Sequence, residues 1–227
     1  MKTTKKLRKS FLIIITSILF SGFFVSCDIW SRGLAPKITI DDIRQIQQFE
    51  PLAYVGSIEK GNGFIYSDSL TKVAKTLFEE DLSRSKTLPV KGNIVIEDSL
   101  LNLRVQSEIY VLMSYVENNY RFDKVAIPST IDSILEARNE RFGLLAYNWG
   151  FTQTSSNYDN GAQVVIQTLG TVYTVPCLDM TRSDIVIVDS QNNNLAYVGK
   201  AHNTSDPIKA ETYRKQVDRL LKNYKNQ

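Results

Sequence analysis

The sequence predicts an α/β (α+β) domain in which a mixed sheet is packed by three to four helices, with a late antiparallel strand meander and a closing C-terminal helix. Three observations predict it. Apolar residues recur at helical spacing early in the chain, segments rich in Val, Ile, Tyr and Phe crowd its second half between turn-forming residues, and an amphipathic stretch closes it.

From Ser67 onward, Leu70, Val73, Ala74, Leu77, Phe78 and Leu82 mark an amphipathic helix with Ser67 or Asp68 as its N-cap. A second stripe, Leu101, Val105, Ile109, Leu112 and Val116, marks another helix with Ser99 as a candidate cap, although the apolar run Ile109–Met113 also reads as a buried strand. A third, shorter helix starts near Pro128 or Ser129 and buries Ile131, Ile134 and Leu135. Proline suits the first turn because its missing N–H would be unpaired there. The last helix runs from Pro207 to about Asn223 behind Ser205 and Asp206, with Ile208, Ala210, Tyr213, Val217, Leu220, Leu221 and Tyr224 on its apolar face.

Strand character falls at Tyr54–Ile58, Asn93–Glu97, Phe142–Phe151, Gln163–Val175, Asp184–Asp189 and Asn194–Gly199. Two turns rich in residues that tolerate positive φ, Asn157–Gly161 and Ser190–Asn193, join neighbouring segments.

Composition bounds the chemistry. Among 227 residues there are 11 Gly and 6 Pro, too few for a collagen-like or wholly disordered chain. The single histidine, His202, excludes an HExxH zinc site and any three-His site, and the two cysteines exclude a disulfide framework. No metal site and no cofactor is expected.

Residues 2–9 carry Lys2, Lys5, Lys6, Arg8 and Lys9 with no acid, and a mostly apolar run from Phe11 to Val25 follows. Basic and apolar stretches in that order form a secretory signal. Fifteen helical residues rise only about 22 Å, short of the roughly 30 Å hydrocarbon core, so a removable signal is favoured over a permanent span. The tetrapeptide Phe24-Val25-Ser26-Cys27 resembles the lipobox of bacterial lipoproteins, with Phe24 where that pattern prefers Leu. The resemblance implies cleavage before Cys27 and lipidation of its thiol and new amino group, with several acyl chains giving stable anchoring to a membrane. It also implies a bacterial cell envelope, the outer membrane before the inner.

On this reading residues 1–26 are signal, 27–37 the lipidated cysteine and a tether containing Gly33 and Pro36, and 38–227 a single α/β domain. Removing the five basic residues of the signal leaves 22 Lys+Arg against 24 acids, a net charge of −2. Nucleic acid is therefore excluded as an expected partner, because such binding needs a basic face.

The helix beginning at Ser67 and ending near Lys86, the stretch Ile131–Gly150 and the hydrophobic strand ending at Asp189 together resemble the periplasmic α/β domain shared by the Tol translocation protein, the curli-secretion lipoprotein and the penicillin-binding-protein activator lipoproteins. The segment Glu50–Gly56 departs from the first strand of that family. The resemblance implies a non-catalytic domain that binds or scaffolds a protein partner.

Other chemistries find little footing. A Cys177–His202 dyad would supply a nucleophile and base, but Cys177 sits in the apolar stretch Val175-Pro-Cys-Leu178, where a small buried hydrophobe is the usual role. A serine hydrolase lacks any Gly-x-Ser-x-Gly turn. A carboxylate-dependent hydrolase would draw its acids from Asp41/Asp42, Glu79/Glu80/Asp81 or the series Asp179, Asp184, Asp189. No catalytic residue is assigned. The aromatics Tyr147, Trp149, Phe151 and Tyr158, with Tyr173, form a candidate binding surface for a glycan or protein, but the segment holding the first three is apolar on both faces, which favours a central, buried strand. The leading expectation is an envelope lipoprotein that binds a protein partner; the alternative is a lipoprotein that binds a small ligand or glycan.

Overall fold

The computed structural model describes residues 33–35, 38–59, 63–118, 124–153, 163–168, 171–176 and 179–225. Its strands are β1 (Gly33–Leu34), β2 (Ile46–Gln48), β3 (Leu52–Ile58), β4 (Phe64–Tyr66), β5 (Val90–Asn93), β6 (Phe142–Gln153), β7 (Gln163–Thr168), β8 (Thr171–Pro176), β9 (Met180–Asp189) and β10 (Asn194–Asn203). The helices are α1 (Asp68–Arg84), α2 (Ser99–Asn118), α3 (Ser129–Ala137), α4 (Ala210–Leu220) and the single turn α5 (Lys222–Lys225). The predicted class holds: a mixed sheet, four principal helices, a late antiparallel meander and a closing C-terminal helix.

Eight strands form one sheet in the order β1-β10-β9-β6-β2-β5, with β3 and β4 attached beside the second half of β6. Strand β6 is its spine. It runs antiparallel to β9 from the pair Phe142↔Asp189 to the pair Phe151↔Met180. Along its other edge it is parallel first to β2, with Gln47 opposite Gly143, and then to β3, with Leu52 opposite Tyr147. Pro51, which has no N–H to give a ladder, falls at the break between β2 and β3. Strands β7 and β8 pair with each other as a separate two-stranded sheet.

Alternation along β6 divides the core into two layers. On one face, Tyr147 meets Tyr110 of α2 edge-on at 6.3 Å, and a Cβ at Gly143 would lie 3.0 Å from Leu135 of α3. On the other, the Tyr213 hydroxyl of α4 lies 3.1 Å from Asn148 Oδ1, and Phe78 of α1 packs on Tyr213 at 5.7 Å. Helices α2 and α3 thus cover one face, and α1 and α4 the other.

Several boundaries differ from the sequence expectation. The Ser67 hydroxyl caps α1 as expected, accepting from Leu70 N. At α2 it is Asp98, not Ser99, whose carboxylate accepts from Leu101 N at 2.8 Å. The segment Asn93–Glu97 is strand only at Asn93: Ile94 N makes a last bond to Gln48 O at 2.7 Å, after which the chain leaves the sheet edge. Gln163–Val175 is two strands of a hairpin rather than one. The closing helix begins at Ala210, not Pro207, because Asp206 and Pro207 are held in a turn: Ile208 N donates to Asp206 Oδ1, and Thr212 Oγ1 and Tyr213 OH donate to the carbonyls of Asp206 and Pro207. Gly33 and Leu34, placed in the tether by sequence, pair with Val198 and Tyr197 of β10.

Candidate interaction surface

Helix α2 is apolar on two opposite sides. Its inner side buries Val105, Ile109, Leu112, Met113 and Val116 against the sheet and α3. At 3.6 residues per turn, Leu100, Leu103, Ser107 and Val111 fall on the reverse of that stripe. There Leu100 is 76%, Leu103 61% and Val111 62% exposed, with Tyr110 and Tyr115 exposed on its flanks. A helix that buries one stripe against its own core normally turns charge to the solvent. Helix α4 does so, showing Glu211, Arg214 and Lys215 outward. The charges of α2 are all paired: Arg104 and Glu108 on one flank of the outer stripe with each other, and Glu117 toward the other flank with Arg182.

Glu108 is also fixed from the other side. Its carboxylate accepts from Thr130 Oγ1 at 2.6 Å and from Ile131 N at 3.4 Å, capping the first turn of α3 and locking the two helices together. At the C-terminal end of the outer stripe, Val111, Leu112 and Tyr115 face Lys124, Val125, Ala126 and Pro128 across an apolar groove of about 310 Å³.

Burial overturns the candidate aromatic surface at three of its residues and agrees with the buried-strand reading of that segment. Tyr147 and Trp149 are 2% exposed and Phe151 is 0%, because β6 is central in the sheet and covered on that face. Tyr158 and the lipobox Cys27 lie outside the described residues, as does Cys177. Exposed aromatics occur elsewhere: Tyr54 and Tyr66 stack at 4.9 Å, Phe64 lies 5.4 Å from Tyr54, and Trp149 supports Phe64 at 6.4 Å. Sequence reading passed over these tyrosines because the β3–β4 hairpin is short and Tyr66 borders the cap of α1.

Apart from Asp41, which is exposed, the acids considered for hydrolysis are engaged structurally. Asp179 accepts from Thr152 and from the Gln153 amide, Asp184 holds Arg182, and Asp189 holds Arg141. Glu79 accepts from Asn93, Glu80 and Asp81 pair with Arg84, and Asp42 accepts from Thr39. Burial nonetheless pushes the Asp81 carboxyl above its usual range. Arg182 also reaches Glu117 of α2 at 2.6 Å, so a buried ionic cluster ties α2 to β9 near Trp149. Among the described residues, no group of three or more His, Cys, Asp or Glu is placed to hold a metal ion, and no helix is long and apolar enough to cross a membrane.

No family model matches the chain, and no curated protein matches it in sequence. Among solved structures, the PelC dodecamer from Paraburkholderia phytofirmans is similar at 7% identity and a TM-score of 0.43, covering 86% of this chain and 95% of that one. The LpoB C-terminal domain from Salmonella enterica is similar at 9% identity and a TM-score of 0.31, covering 75% and 88%. Lipoprotein GNA1162 from Neisseria meningitidis is similar at 11% identity and a TM-score of 0.29, covering 72% and 81%. Likenesses of this size assign neither family nor activity.

Proposed function

We propose that the chain is a bacterial envelope lipoprotein, held to the outer membrane by lipid on Cys27, whose non-catalytic α/β domain binds a protein partner through the outer face of α2. The observation that carries the docking reading is the second apolar stripe of that helix, Leu100, Leu103 and Val111, which no described element covers. Exposed apolar surface that a fold does not need for its own core marks interaction sites. The anchor rests on the lipobox resemblance, and the domain follows the cleaved signal and a short tether.

Two experiments test the two halves. Intact mass of the detergent-extracted protein is expected to show cleavage before Cys27 plus acyl chains, and Cys27→Ala to yield an unacylated product that leaves the membrane fraction. An unacylated wild type overturns the anchor. A photoreactive residue at Val111 in intact envelopes is expected to give a discrete adduct, and one at Lys215 of α4 none. Equal yields at the two sites overturn the docking face.

A second reading has its own observation. The exposed stack of Tyr54 and Tyr66, backed by Phe64 and Trp149, offers ring surface of the kind sugars pack against. Titration with soluble glycan fragments, followed by Trp149 fluorescence against a Tyr54→Ala control, tests it.

A further inference from the structure

The outer stripe of α2 is complementary to itself, and we infer that its partner is a second copy of this chain, paired antiparallel about Ser107. This inference rests on the reading of the stripe as a docking face and names what docks there.

Ser107 lies midway between Leu103 and Val111 and is exposed. If two such helices run antiparallel with a two-fold axis at Ser107, Leu103 of each chain meets Val111 of the other, an isologous contact in which one patch serves both sides. The two small Ser107 side chains fall at the crossing, where they let the backbones approach. The most exposed leucine of the helix, Leu100, is then carried level with Ser114 of the second copy, beside the apolar groove of Val111, Leu112, Tyr115, Val125 and Pro128. A protruding side chain and a recess of matching character therefore meet at both ends of the seam.

The charges agree with this register. Arg104 and Glu108 lie on the same flank of the stripe. Under the two-fold they remain on one flank, with Arg104 of each chain about two residues, or about 3 Å along the axis, from Glu108 of the other. Glu108 is already held in place by α3, so the second copy's Arg104 approaches a fixed carboxylate. The two Glu108 side chains come equally near each other along the axis, and each is offset by its own Arg104 and by the Arg104 of the other chain. A parallel pairing would put the Arg104–Glu108 pairs of the two chains on opposite flanks of the seam, out of each other's reach, and leave Leu100 beside Leu100, away from the groove.

The test is a disulfide at the two-fold. Packed helices lie about 8–10 Å apart, and subtracting two Cα radii of about 2.3 Å leaves roughly 3.5–5.5 Å between the Ser107 Cα atoms, overlapping the usual span of a disulfide. Full-length chain carrying Ser107→Cys, in detergent under copper-catalysed air oxidation, is expected to give a linked species of twice the chain mass. The parent chain, with Cys177 alone outside the anchor, and Lys215→Cys are expected to give none. In sedimentation, Leu103→Asp with Val111→Asp is expected to weaken association of the parent chain at least tenfold while the double variant still unfolds in one cooperative transition. No linked dimer from Ser107→Cys, together with a monomeric parent chain, overturns self-pairing. If the Val111 photoadduct in envelopes then still forms, with a mass other than twice the chain, the docking face stands with another occupant; if it is missing too, both fall.

Discussion

Arg141 grips Asp189 with two parallel hydrogen bonds, Nε to Oδ1 at 2.9 Å and Nη2 to Oδ2 at 2.8 Å, across the strand pair that forms the centre of the sheet. Asp189 is fully buried, and Asn192 adds a third bond to Oδ2 at 2.7 Å. The pair fixes the turn through which β9 returns as β10, with Asn193 at φ 45° closing it.

Burial by itself would raise the Asp189 carboxyl, but the bonds from Arg141 and Asn192 outweigh it and hold the group below its ordinary value. A carboxyl depressed in the native state contributes stability that is complete above about pH 4, the unfolded range, and is lost as pH falls through the native value. Arg141→Ala strands a buried carboxylate and is expected to cost about 3–5 kcal/mol. Chemical denaturation at pH 7 and pH 3 checks both statements: the variant's deficit shrinks in acid, and a deficit that is equal at the two pH values contradicts the assignment.

Gln48 offers the opposite case. It is fully buried in β2, and neither its amide oxygen nor its amide nitrogen finds a partner among the described residues. Burying an amide without compensation costs about 1–3 kcal/mol. Gln48→Met, similar in length and without polar demands, is expected to raise the unfolding free energy by about 1–2 kcal/mol. A loss of stability in denaturant titration would show that the amide is satisfied.

Gly56 makes room for the aromatic stack. A Cβ there would lie 2.2 Å from the backbone oxygen of Ile65 and 2.6 Å from Phe64 Cζ, so Gly56→Ala must push β4 away from β3. The expected cost is about 1–3 kcal/mol, with a change in Trp149 emission because Phe64 packs on that indole. An unchanged emission spectrum would place Phe64 elsewhere.

The two sides of α2 are expected to differ in how much a substitution costs. Leu103→Asp and Val111→Asp change positions exposed in the monomer and, at protein concentrations dilute enough to keep the chain monomeric, are expected to shift stability by no more than about 0.5 kcal/mol. Ile109→Ala and Leu112→Ala empty buried positions and are expected to cost about 2–5 kcal/mol each. Thermal unfolding of the four variants separates the stripes; a large cost at Leu103 would make the outer side part of the core.

Periodicity made α1 and the inner stripe of α2 legible, since Ala74, Phe78 and Leu82, and Val105, Ile109 and Leu112, recur at the spacing that burial demands. The outer stripe was not legible, because Leu100, Leu103 and Val111 are as apolar as the buried stripe and nothing in the sequence marks them as left uncovered. The start of β9 was hidden for a different reason. Thr181, Arg182, Ser183 and Asp184 look unlike a central strand, yet they are buried there: Thr181 donates to the Ser205 carbonyl, Ser183 is bonded by Gln216 and Asn148, and Arg182 is held by Glu117 and by Asp184 Oδ2, while Asp184 Oδ1 finds no hydrogen-bond partner among the described residues. Tyr147, Trp149 and Phe151 were correctly aligned on one face by alternation. Alternation does not say whether a helix covers that face, and α2 does.

The most direct measurement is the yield of the Val111 photoadduct in intact envelopes, with and without Leu103→Asp. A charge placed two turns from the probe breaks the apolar stripe, and is expected to reduce the adduct at least tenfold while the protein accumulates to the same level. An adduct of undiminished yield would contradict a docking face on the outer side of α2.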